Sequence, residues 1–136
     1  MDKNTFSLEL RARRGALGLS QDDLARLLGV KQTAVSLWET GRRTPQDPVN
    51  IMMALAALED TQDQIIDELC EQVEHASAVP DTPYPLARTY RCDADYWAAD
   101  ARAMQQGIPA SLHRTAAAWA ARIMREEQEK DLHQGT

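Results

Sequence analysis

Apolar residues recur at helical spacing along most of this chain, and the residues that interrupt them mark where each helix begins and stops. Phe6, Leu10 and Leu17 share a face and predict a first helix from Thr5 to Leu17, with Asn4 or Thr5 as its cap. Gly15 weakens its last turn, and Gly18 is placed to end it. Ser20 is then a good N-cap. Asp23, three residues on, completes a capping box, and Asp22 and Asp23 sit at the positive end of the helix dipole. Leu24, Leu27 and Leu28 form the second helix's stripe, and Gly29 supplies the left-handed exit. Val30 plugs the corner. A third helix follows from Gln32 to Thr40, with Val35 and Trp38 on one face and Gly41 as its stop. Its other face, Lys31, Gln32, Thr33, Ser36 and Leu37, is short, mostly polar and free of acidic residues.

Arg42, Arg43, Thr44 and Pro45 make a basic loop, after which Asp47 caps and Pro48 opens a fourth helix. Val49, Met52, Met53, Leu55, Ala56 and Leu58 are expected to close the core there. Thr61 with Gln64 reads as a second capping box, and so predicts a separate fifth helix. Its stripe is Ile65, Ile66, Leu69 and Val73, and its outer face is acidic with Asp63, Asp67, Glu68, Glu71 and Glu74. The stretch AVPDTPYP, residues 78–85, holds three prolines and reads as a connector. Leu86 to Cys92 alternates, with Leu86, Arg88, Tyr90 and Cys92 on one side, which predicts one strand in need of a partner. Asp93 or Asp95 is placed to cap a helix through Tyr96, Trp97, Ala101 and Met104, ended by Gly107 and Pro109. The last helix runs from Ser111 to about Lys130 on Leu112, Ala116, Trp119, Ala120 and Ile123. The expected fold is therefore mainly α. It has a five-helix head over residues 1–77, a connector over 78–85, and a small domain of one strand and two helices over 86–130.

Charge sharpens this division. The chain of 136 residues carries a net charge of -6, yet its first 46 residues hold eight basic residues against five acidic ones, leaving -9 for the rest. A weakly basic head on an acidic body would orient the molecule on a phosphate surface. Cys70 and Cys92 have no thiol or histidine at ligand spacing, so no metal or other cofactor is expected. Two reduced thiols fit a cytosolic protein, with a disulfide as the alternative. No stretch reaches the ~20 apolar residues of a membrane helix and the N-terminus lacks a signal-length apolar run, so a soluble, cytoplasmic protein with no membrane partner is expected. His75, His113 and His133 lack catalytic companions at recognisable spacing, and no phosphate loop, GxSxG or HExxH occurs, which argues against an enzyme.

A helix, a tight glycine turn and a second helix with a short polar face fit the width of the DNA major groove. The segment LRARRGALGLSQDDLARLLGVKQTAVSLWETGRRTP resembles the DNA-binding domain of lambda-repressor-like, Xre-type bacterial and phage regulators, over about residues 6–59. Arg13 and Gly15 depart from that pattern in the first helix. The resemblance implies that Gln21 bonds a DNA phosphate through side chain and backbone, which suits a helix N-terminus. It also implies that Lys31, Gln32 and Thr33 read bases, with Ser36 and Leu37 extending the surface; Leu37 could meet a thymine methyl. Arg42 and Arg43 are expected on phosphates. Arg14 and Glu39 resemble the family's pair linking the first and third helices, and Trp38 is read as a core anchor.

A single head contacts few base pairs, so two copies on a two-fold operator are expected. The candidate homodimer surface comprises Leu86, Arg88, Tyr90, Trp97, Leu112, Trp119 and Ile123, although a core within one chain explains the last helix equally well. Residues 86–124 also resemble, more weakly, the C-terminal part of YdiL-like regulators and anti-CRISPR-associated autorepressors, which implies a homodimeric autorepressor on a pseudo-palindromic operator in double-stranded DNA. Two alternatives keep DNA binding. The second half could bind a protein partner, as in an antitoxin bound to its toxin, or it could sense a ligand.

Overall fold

The computed structural model describes residues 2–76 and 87–134, and among them every regular element is a helix. The first, α1 (Lys3–Ala16), starts earlier than expected because Asp2 is its cap, in place of Asn4 or Thr5: the Asp2 Oδ1 accepts from the Thr5 amide at 2.8 Å. Next, α2 (Gln21–Leu28) carries the reciprocal Ser20–Asp23 capping box and ends on Gly29 at φ +71°. The short α3 (Gln32–Glu39) crosses it. Phe6, Leu10, Leu17, Leu24 and Val35 meet in one core that Leu55 closes.

Two expected helices are one. The helix α4 runs unbroken over Pro48–Ala76, about 43 Å at 1.5 Å per residue. Its start follows the local signals, with Asp47 Oδ1 accepting from the Asn50 amide at 3.1 Å. The Thr61–Gln64 capping box is absent, because Thr61 Oγ1 instead donates back to the Ala57 carbonyl at 3.1 Å, as a hydroxyl inside a helix can. Continuity decides which residues are buried. Leu55, Gln62, Leu69 and Val73 share the inner face, while Val49 and Met53 fall on the opposite side and are about two-thirds exposed, so they do not close the core.

The expected single helix after Cys92 is two. Asp100, in extended conformation, separates α5 (Asp93–Ala99) from α6 (Ala101–Gln106) and caps α6 by accepting from the Ala103 amide at 3.0 Å. Neither Asp93 nor Asp95 caps α5, whose N-cap Cys92 makes no side-chain bond; Asp93 Oδ1 accepts from the Ala110 amide at 2.7 Å, at the start of α7 (Ala110–Gln134). The predicted strand is not formed. Leu86 lies outside the described residues, and residues 87–92 are irregular. Arg114 answers part of that segment's polar backbone, donating to the carbonyls of Tyr90 and Arg91 at 2.9 Å each. Tyr90 is stacked on Tyr96 at 5.0 Å between ring centroids instead of projecting from a ladder.

Helices α4 and α7 form the main junction between the two halves. Gln62 meets Thr115 and Cys70 meets Ala120, so the two run in the same direction. Parallel neighbours need a long return connection, which the intervening chain with α5 and α6 provides. Leu112, Ala116, Ala120 and Met124, four residues apart, are buried on this face. The junction also has a polar clasp. Gln62 Nε2 donates to the Ala16 carbonyl and to Thr115 Oγ1, each at 3.1 Å, and Thr115 Oγ1 lies 3.1 Å from the Leu17 carbonyl. Gln62 satisfies a carbonyl that the end of α1 would otherwise leave orphaned, and Thr115 shares its one hydroxyl proton between the Leu17 carbonyl and the Leu112 carbonyl of its own helix, 2.8 Å away. At Gly18 the backbone has φ +74°, and an added Cβ would stand 2.5 Å from the Thr115 methyl and 2.7 Å from the Ser111 carbonyl. Gly18 is thus required twice over, by its conformation and by the approach of α7.

Candidate nucleic-acid interface

The site grows from the order of the first three helices. The Ser20 capping box and Gly29 fix the length of α2, so α3 starts at a set distance, and Val35 and Trp38 bury its inner face. Lys31, Gln32 and Thr33 are left exposed at its N-terminal end, with Ser36 and Leu37 half-buried one turn on. These five residues lie together along one edge of the head.

A buried ion pair holds α3 in place. Arg14 Nε and Nη2 donate to the two carboxylate oxygens of Glu39 at 2.6 and 2.8 Å, and Nη1 donates to the Leu19 carbonyl at 2.8 Å. Burial alone would raise the Glu39 pKa, but the bonds from Arg14 and Gln21, with the charges of Arg14 and Arg11, outweigh it and hold the carboxyl below its usual value. Glu39 in turn raises the Arg14 pKa through the same bonds. Gln21 Nε2 donates to Glu39 at 3.0 Å, and its Oε1 accepts from Gln32 Nε2 at 2.7 Å. The chain Arg14–Glu39–Gln21–Gln32 therefore runs from the scaffold to the exposed surface.

This network sets what each glutamine can still do. Gln32 spends one amide hydrogen on Gln21 and keeps its other hydrogen and its oxygen, the donor and acceptor pair that matches the edge of adenine. Gln21 spends one Nε2 hydrogen on Glu39 and uses its oxygen to accept from Gln32, so it keeps one side-chain hydrogen beside its first-turn backbone N–H, and both are suited to an anion.

Beyond Gly41, the amides of Arg42 and Arg43 donate to the Leu37 carbonyl at 3.0 and 3.2 Å, turning the loop back along α3. Both arginine side chains are exposed, and neither is ion-paired among the described residues. Two further arginines matter that sequence reasoning left without a role or with a doubtful one. Arg11 is exposed on α1, close enough for its charge to act on Glu39. Arg13, the departure from the family pattern, bonds Glu59 from Nε at 3.0 Å and Glu9 from Nη1 at 3.2 Å, clamping α1 to α4. Gly15 has open space around it. Neither departure disturbs the head.

The expected dimer residues are dispersed. Leu112 is fully buried in this chain's own core, because its face of α7 packs on α4, so it offers no surface. Tyr90, Trp97 and Ile123 are half-buried, and Trp97 Nε1 donates to the Ile108 carbonyl at 2.7 Å. Arg88 is exposed, and Trp119 is 47% exposed with the Arg122 guanidinium 5.5 Å from its ring. Cys70 and Cys92 are free thiols. Among the described residues, no helix is long and apolar enough to cross a membrane.

Residues 10–49 match the helix-turn-helix family model, spanning the end of α1, all of α2 and α3, and the first residues of α4. This match supports an Xre-type, lambda-repressor-like helix-turn-helix at residues 10–49, the DNA-binding module of transcriptional regulators. No curated protein matches the chain.

Proposed function

We propose that the protein is a sequence-specific transcriptional repressor that binds an inverted repeat as a homodimer, with α3 in the major groove of each half-site. The observation that carries this reading is the acid-free face of exposed Lys31, Gln32 and Thr33 with half-buried Ser36 and Leu37, on a helix braced from behind by the Arg14–Glu39 pair. Lys31 and Gln32 offer donors and an acceptor to base edges, and the Thr33 methyl and Leu37 suit a thymine methyl. Arg42, Arg43 and Gln21, through its side chain and its amide at the start of α2, hold phosphates on either side and set the register. One head reads too few base pairs for an operator, and the second copy pairs through the C-terminal half, where Arg88 and Trp119 are exposed.

The test is a footprint of the purified protein on the DNA upstream of its own gene, together with its mass in solution. Protection of an inverted repeat with half-site centres about 34 Å or a multiple apart, by a dimer, is the expected result. Protection of a single unrepeated site by a monomer would overturn the dimeric reading.

A further inference from the structure

A groove runs along α4 on the side facing α2 and α6. At the end near the helix-turn-helix it is an open hollow of about 340 Å³, lined by Leu27 and Leu28 of α2, Ala57 and Leu58 of α4 and Ile108 of the α6–α7 turn, with Thr61 and Gln106 at its polar border. That volume has room for a small molecule, and the lining is mostly apolar, as small-molecule sites usually are. Thr61, Gln106 and Ile108 also border a second, smaller cavity of about 70 Å³ further along α4, so the two adjoin. The far end is polar: Glu68 and Asp100 face it with Arg102 and the Tyr96 ring. Two carboxylates against one guanidinium leave a net negative charge at that end.

We propose that this groove binds a small amphiphilic cation, its hydrocarbon body between Leu27, Leu28, Leu58 and Ile108 and its ammonium group beside Glu68 and Asp100. Charge and shape select this class. An apolar body removes the leucine and isoleucine surfaces from water, and a cation answers the excess carboxylate, whereas a fatty carboxylate of the same length meets repulsion. The rise of α4 places Leu58 and Glu68 about 15 Å apart along the helix, which an eight-carbon ammonium of about 10 Å bridges once a ~3 Å hydrogen bond at one end and a ~4 Å apolar contact at the other are added. The site also has a route to the DNA-binding head. Arg26 of α2 donates to the Gly107 carbonyl at 3.0 Å, so the α6–α7 turn that walls the groove is tied directly to the helix before α3. A molecule seated between Leu27 and Ile108 shifts this tie, and by linkage DNA affinity and ligand affinity change by the same factor. This second consequence rests on the DNA-binding reading, whereas the site itself does not.

The test uses octylammonium as probe and octanoate as its charge-reversed control, titrated into the full-length protein and followed by amide NMR. Saturable shifts confined to α2, α4, Tyr96 and residues 100–108 are expected from octylammonium, with octanoate about tenfold weaker or absent. Glu68→Lys is expected to weaken octylammonium by about tenfold or more, and Ala57→Trp, at an exposed groove-lining position, to abolish it with the thermal midpoint retained. Absence of saturation, equal binding of octanoate, or undiminished binding by Ala57→Trp would overturn the site. Binding of octylammonium with unchanged affinity for upstream DNA would overturn the coupling alone. Failure of the free protein to bind that DNA would overturn the regulatory reading and leave the groove standing.

Discussion

Gln32 and Gln62 are the same residue in two regions that use polar groups in opposite ways. At the edge of α3, Gln32 makes one bond within the protein and leaves a donor and an acceptor facing solvent. At the junction of α4 and α7, Gln62 is buried, and its amide nitrogen serves both the Ala16 carbonyl and Thr115. The recognition edge is polar because a partner must complete it. The junction is polar because the end of α1 brings carbonyls into the interior that need donors. Substitutions at the junction should therefore reduce stability, while those at the edge should reduce DNA binding and leave stability nearly unchanged.

The sharpest way to break this contrast is at the two glycines around the end of α1. Gly18→Val puts a β-branched residue at φ +74° and drives its Cβ into the Thr115 methyl and the Ser111 carbonyl. Left-handed strain and overpacking together should cost about 2 to 5 kcal/mol in urea unfolding. Gly15→Ala, where nothing lies within 4 Å, should instead gain about 0.5 to 1 kcal/mol. Similar losses in both variants would mean that α7 does not press on the turn.

Glu39→Ala tests the brace that joins frame and edge. Removing the carboxylate leaves the Arg14 guanidinium largely buried with only the Leu19 carbonyl, and stability should fall by about 3 kcal/mol. DNA affinity should fall as well, because Gln21 and Gln32 lose their anchor. The pair also has a pH signature. A carboxyl whose folded pKa is depressed adds stability that is complete above its unfolded value and is lost as pH falls through the folded one, so this contribution disappears under acid conditions below about pH 4.5. An acid limb unchanged by Glu39→Ala would contradict the assignment.

On the edge itself, Gln32→Ala should lower discrimination at one or two base positions by about 1 to 3 kcal/mol, measured as the ratio of affinities for matched and substituted operators. Arg42→Ala should weaken all sequences alike and reduce the slope of affinity against salt by about one unit. Both variants should unfold like the parent. Uniform weakening by Gln32→Ala would remove it from base reading, and an unaltered salt slope would remove Arg42 from the phosphates.

Features governed by neighbours in sequence were legible from sequence alone. The Ser20–Asp23 box, the exit at Gly29 and the Asp47–Pro48 start each depend on residues within one helical turn, and the structure has all three. The whole helix-turn-helix follows from them. What local reasoning mistook were signals with two uses. Thr61 can cap a new helix or bond backwards inside a continuing one, and it does the second. Alternation over Leu86–Cys92 suggested a strand, but a strand needs a ladder, and the Tyr90 and Arg91 carbonyls take Arg114 instead. The Gln62–Thr115 clasp joins residues 53 apart, and Asp93 reaches the start of α7 across 17, so neither shows as a periodic pattern. The base-reading and phosphate positions came from family likeness more than from physics, and the structure adds the Gln21–Gln32 bond that links the two sets.

The smallest effect belongs to the C-terminal half and needs no DNA. His113 is buried beneath Tyr90 and Tyr96, with ring centroids 5.1 and 4.8 Å away, and its Nδ1 lies 2.8 Å from Thr89 Oγ1. Burial lowers its pKa below 6.5, and the charge of Asp100 offsets this only in part. The unfolded chain therefore binds this proton more readily than the folded one, so stability is complete above pH 6.5 and declines as pH falls from there toward the folded value. A urea midpoint measured at pH 7.5 and again at pH 5.5 should drop, by an amount that His113→Gln removes even though that variant is less stable throughout. Because the clasp at Gln62 and Thr115 carries no charge, it should not respond over this range, and the loss should appear first as release of the segment around Thr89. If His113→Gln keeps the full pH dependence, the proton is taken up elsewhere and the aromatic cluster plays no part in it.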